Sequence, residues 1–198
     1  MKRLAFAFIL IALLSGSAVA GGLTFGITGG INLANVAGDS VEMNETKLCF
    51  GGGGFVEFPV APLISVQPQL LYMMKGMKWG GDTDSGVRLS YIEIPVLVKV
   101  NIPMAGPFNP NLFVGPYLGL NTGAEAYIEG VDEDIKDQIK STDYGLVLGG
   151  GFDYALATGK LTFDARYSMG LTSIDDTDDD DDVKNTGIMF MVGYGFSL

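Results

Sequence analysis

The chain of 198 residues carries 23 acidic and 12 basic side chains, a net charge of −11, which excludes a nucleic-acid binder that works through a basic surface. It has no histidine, the usual general base near neutral pH, and its single cysteine cannot form an internal disulfide. Apolar residues make up 47% of the chain and mean hydropathy is +0.31, yet beyond residue 20 no run of about 18 apolar residues marks a transmembrane helix.

The first twenty residues, MKRLAFAFILIALLSGSAVA, read as a cleaved secretory signal peptide. Lys2 and Arg3 form the positive end, Leu4 to Leu14 the short apolar stretch, and Ala18-Val19-Ala20 the small-residue cleavage site. Residues 21–198 are then one exported domain with a net charge of −13, since Lys2 and Arg3 leave with the leader.

In that domain, apolar residues recur with period two, the pattern of strands with one greasy face. Leu23–Ala34 sets Leu23, Phe25, Ile27, Ile31 and Leu33 against Thr24, Gly26, Thr28, Gly30 and Asn32. Leu48–Phe58 sets Leu48, Phe50, Val56 and Phe58 against Glu57, around the run Gly51–Gly54, which gives curvature or room for large interior neighbours. Ile64–Lys75 opposes Val66, Leu70, Tyr72 and Met74 to Ser65, Gln67, Gln69 and Lys75. Arg88–Ile102 opposes Ile92, Ile94, Val96, Val98 and Val100 to Tyr91, Glu93, Lys99 and Asn101.

The second half repeats the pattern in Asn111–Asn121, Asp143–Leu156 and Lys160–Leu171, where the last alternates Leu161, Phe163, Ala165, Tyr167 and Met169 with Lys160, Thr162, Asp164, Arg166 and Ser168. Thr186–Leu198 closes the series, with Ile188, Phe190, Val192, Tyr194 and Phe196 on one face and Gly187, Met189, Met191, Gly193, Gly195 and Ser197 on the other. Eight strands of this length, about twice the usual 5–6 residues of soluble strands, predict an all-β fold: an eight-stranded antiparallel up-and-down transmembrane β-barrel. A soluble barrel of lipocalin type would reverse the two faces.

The connections alternate in length. Val36–Lys47, Met77–Val87, Gly123–Thr142 and Thr172–Asn185 are long, whereas Pro59–Leu63, Pro103–Pro110 and Ala157–Gly159 are short. That is the expected contrast between surface loops and periplasmic turns. The four loops hold 18 acids and 5 bases; the strands hold five of each sign. Of the ten strand charges, Arg88 alone has lipid-facing parity, and it lies at a loop edge.

The inward set Glu57, Lys75, Glu93, Lys99, Asp153, Lys160, Asp164 and Arg166 is therefore expected to form a lumen ion-pair network, since eight strands leave an interior that side chains fill. A narrow conduction path is the alternative. The acidic run DDTDDDDD offers a low-specificity Ca²⁺ candidate in Asp175, Asp176, Asp178, Asp179, Asp180, Asp181 and Asp182, without EF-hand spacing; its bland counterpart is a solvated loop. Trp79, Tyr72, Tyr91, Tyr144 and Tyr167 are expected in interfacial girdles, and Cys49 as an inert inward residue. No catalytic residue and no cofactor is expected.

The segments GITGGINLANVAG, SVQPQLLYMMKGMKWG, LSYIEIPVLVKV and DARYSMGLTSID, with the closing VGYGFSL, resemble the PorT-like, porin-family outer-membrane β-barrel proteins over Gly22–Leu198. The resemblance implies an eight-stranded barrel in the bacterial outer membrane and little about activity; one branch of such proteins serves a secretion apparatus. It also implies that Phe196 belongs to a carboxy-terminal assembly signal, with Leu198 where an aromatic is usual. The expected partners are outer-membrane lipids and lipopolysaccharide, the barrel-assembly machinery during biogenesis, and envelope proteins of unspecified kind. The function classes in play are a structural or surface-interaction barrel, a small-solute pore, and an accessory subunit of an envelope machine.

Overall fold

The structure, a computed structural model, describes residues 22–38, 44–80, 85–177 and 182–197. The leader expected over residues 1–20 lies outside them, as do Asp178 to Asp181 and Leu198.

Eight long strands build the fold: β1 (Thr24–Ala37), β2 (Lys47–Ala61), β3 (Ile64–Trp79), β4 (Ser85–Asn101), β5 (Phe108–Ile128), β6 (Thr142–Leu156), β7 (Gly159–Gly170) and β8 (Lys184–Ser197). Each pairs antiparallel with the next, and β8 returns to β1 in an unbroken register from Thr24↔Ser197 to Ala37↔Lys184. The ring closes as an eight-stranded antiparallel barrel with no open edge among the long strands.

Period-two patterning decides which face is which. Ile27, Leu70 and Leu112 are 66%, 59% and 61% exposed on the outside, while Lys99 and Glu93 are 1% exposed within. An apolar exterior around a charged interior suits lipid and would be aggregation-prone in water. This arrangement rules out the lipocalin-like alternative, in which the faces are exchanged. Val66, between its partners Phe58 and Val98, and Val96, beside Pro68, keep outward parity but are buried by their neighbours.

Glycine makes room where the wall meets large interior groups. A Cβ on Gly51 would lie 2.2 Å from the Met73 sulfur, and one on Gly26 would lie 2.2 Å from the Phe55 ring. Met73, Leu71, Met189 and Met191 then form an apolar layer across the lumen, and Leu97, Phe113, Tyr117 and Val147 form a second.

Three expectations need correction. Met77–Val87, read as a loop, is β-structure at both ends, since β3 runs to Trp79 and β4 begins at Ser85, with Met77 opposite Val87. Gly123–Thr142, read as a loop, begins as β-structure: β5 runs on to Ile128, turns at Glu129 and Gly130, both at positive φ, and returns as a short strand, Val131–Asp134. The alternation was hidden because Thr122 is an extra residue, a bulge between the pairs Asn121↔Tyr91 and Gly123↔Ser90, which inverts the parity beyond it. Tyr91 is not in a girdle. It is fully buried in the lumen, as the inward parity of its strand dictates, while Tyr72, Tyr144, Tyr167 and Trp79 are exposed.

Candidate functional site

The inward charges gather into layers. Nearest the short turns, Lys99 lies 2.9 Å from Asp153 and 3.6 Å from Glu57, and Lys160 lies 2.7 Å from each of the same two carboxylates. Four side chains from β2, β4, β6 and β7 thus form a neutral square. In mid-barrel, Arg166 pairs with Asp164 at 2.7 Å and donates to Gln69 at 2.8 Å.

Nearer the long loops, Lys75 is the one cation between two carboxylates, 2.5 Å from Glu93 and 3.3 Å from Asp143. Asp143 Oδ2 also accepts from the Tyr117 hydroxyl and the Asn185 amide, each at 3.0 Å, and Asn185 donates to Tyr91 at 3.2 Å. All eight residues named for the lumen network face inward, in three separate groups. Asp143, Tyr91, Tyr117 and Asn185 were not named among them. Their inward parity was readable, since Asp143 begins its strand in phase with Val147 and Asp153.

A cap closes the loop end. Ile135 and Ile139 from the β5–β6 connection, with Ile174 and Val183 from the β7–β8 connection, pack on Val87, Leu89, Tyr91 and Ala124 at the barrel mouth. Main-chain hydrogen bonds join the two connections: Lys140 N to Ile174 O at 2.8 Å and Asp176 N to Gln138 O at 2.9 Å. Of their described acidic residues, Asp137, Asp176 and Asp182 are exposed above this apolar underlayer. The hairpin arm beside it is anchored by Tyr127, whose ring has Lys47 Nζ at 4.1 Å and the Arg88 guanidinium at 4.7 Å. Arg88, outward as its parity dictates, pairs at the surface with Glu125 and Asp132.

Two described members of the acidic run, Asp175 and Asp182, are separately engaged. Asp175 turns back onto Thr177 at 2.9 Å, and Asp182 pairs with Lys184 at 2.5 Å. Among the described residues, no three His, Cys, Asp or Glu side chains are grouped to hold a metal. Cys49 is buried on the inner face.

A family model described as outer membrane protein beta-barrel domain matches residues 15–176. The chain belongs to that family. Membership makes it a bacterial outer-membrane β-barrel protein, in keeping with the apolar outer wall. Neisserial surface protein A (NspA) shares the fold at 16% identity and a TM-score of 0.53, with 87% of this chain and 96% of that one covered. Ail, the attachment invasion locus protein of Yersinia pestis, is 18% identical over 89% of this chain and 99% of its own, with a TM-score of 0.46. The N-terminal β-barrel domain of Pseudomonas aeruginosa OprF is 9% identical over 89% and 99%, with a TM-score of 0.42. No curated protein matches the chain.

Proposed function

We propose that this family member is a closed barrel without catalysis or conduction, whose work is done by the folded acidic cap at the cell surface, as a docking or envelope-stabilising face. One observation carries this reading. The axis is blocked in successive layers by the Lys99–Asp153–Glu57–Lys160 square, the methionine and aromatic layers, the Lys75 group and the apolar underside of the cap. Opening a path requires separating buried ion pairs, each costing about 3–5 kcal/mol to break from one side.

In this reading the termini and short turns face the periplasm, and residues 1–20 direct export. The motifs SVQPQLLYMMKGMKWG and LSYIEIPVLVKV support a PorT-like assignment within the family, and no motif supports the branch that serves a secretion apparatus. Lipids of the outer leaflet surround the wall, and the assembly machinery inserts it. The absence of histidine from the sequence supports a role without acid–base chemistry.

Planar-bilayer recording on protein purified from outer membranes tests the reading. No conductance above the empty-bilayer background is expected; discrete channel events of the wild type, removed by deleting the barrel, would instead establish a pore. Protease treatment of intact cells is expected to cut within Gly123–Thr142 or Thr172–Asn185, and cleavage confined to Pro103–Pro110 would invert the orientation.

A further inference from the structure

At the seam where the two cap connections enter β6 and leave β7, Lys140, Thr142, Tyr144, Thr172 and Ser173 line a cavity of about 310 Å³. We propose that this cavity holds a phosphate group of an outer-leaflet glycolipid, with Lys140 as its counter-ion and the threonine hydroxyls as donors. The inference rests on the orientation given above, with the loop end outside.

Position on the wall comes first. Tyr144 and Leu171 are exposed beside the cavity on the lipid-facing side, so it opens at the upper edge of the apolar belt, where headgroups begin. The lining comes second. The backbone N–H of Tyr144 donates to Thr172 Oγ1 at 3.3 Å, which fixes that oxygen as acceptor and leaves its hydroxyl proton to give outward. Ser173 Oγ accepts from the N–H groups of Asp175 and Val183, at 3.3 and 3.2 Å, holding the floor of the cavity in place. Among the described residues, the lining therefore has one ammonium, several hydroxyls, an aromatic wall and no carboxylate.

The charge balance of the surface comes third. Arg88 is paired with Glu125 and Asp132, Lys184 with Asp182, and Lys136 rests on the carbonyl of Thr122 at 3.4 Å. Lys140 and the exposed Lys78 are in no ion pair among the described residues, and Lys140 is the one that lines this cavity. A surface with 18 acids in its loops repels an anionic leaflet, so attraction must come from a local point such as this. Lysine serves well there as a point-charge phosphate ligand, and Asp175, bridged to Ile139 along the seam, is turned onto Thr177.

The test uses full-length protein from outer membranes, stripped of lipid in detergent and titrated with diphosphoryl lipid A, its dephosphorylated form, and inorganic phosphate. Native mass spectrometry reads the bound fraction. Wild type is expected to retain diphosphoryl lipid A, with Lys140→Gln about tenfold weaker, Lys140→Arg restoring much of the loss, and Lys136→Gln unchanged. Equal binding of the dephosphorylated lipid overturns the proposal, as does an equal loss in Lys136→Gln. Tight binding of inorganic phosphate that displaces the lipid reassigns the site to a free anion and overturns the lipid source. Outer-membrane fractionation and surface proteolysis of the same variants report on location and orientation separately, so failure of the inference is distinguishable from failure of the reading beneath it.

Discussion

The charge layer near the turns and the one near the loops solve the same problem differently. In the lower layer two lysines meet two carboxylates, and Lys160 touches both acids as Lys99 does. Charge is balanced there by number. In the upper layer Lys75 faces Glu93 and Asp143 alone, and the second carboxylate is held by the Tyr117 hydroxyl and the Asn185 amide. A buried charge can be stabilised by an opposite charge or by aimed dipoles. The first arrangement is redundant and the second is not.

Disruption of both layers together is expected to have the largest effect. Gly193 lies where an added Cβ would already come within 2.7 Å of Ile27 O and Thr162 Oγ1, so Gly193→Trp should prevent β8 from closing on β1. Loss of heat-modifiable gel mobility checks this; normal mobility and assembly would refute it. Next comes Lys75→Met, which strands two carboxylates in the upper layer and should cost about 3–5 kcal/mol in urea unfolding from lipid vesicles. Lys99→Met should cost about half as much by the same measurement, because Lys160 still bridges Glu57 and Asp153. Equal losses in the two variants would erase the contrast between the layers. The smallest effect belongs to the exposed pair: Arg88→Ala should change stability by about 1 kcal/mol or less.

The sequence disclosed the number of strands, the faces of each and the inward charges, because all three follow from parity within a single strand. It did not disclose which charge meets which. Lys75 and Asp143 are 68 residues apart, and their meeting depends on register across several ladders. The cap was hidden for another reason. Ile135, Ile139, Ile174 and Val183 are isolated apolar residues in acidic segments, too sparse for any period, and become an underlayer only when two connections fold over one mouth. The bulge at Thr122 similarly concealed the upper third of β5 by reversing its faces.

The hydrogen bonds that join the two cap connections have an immunological consequence. Lys140 to Ile174 and Asp176 to Gln138 tie segments more than thirty residues apart into one surface, so in the proposed orientation an antibody would meet a composite epitope there. Antibodies raised against either connection as a free peptide would meet a main chain whose donors and acceptors are already engaged, and a blot of denatured protein would report a different antigen from the folded cap.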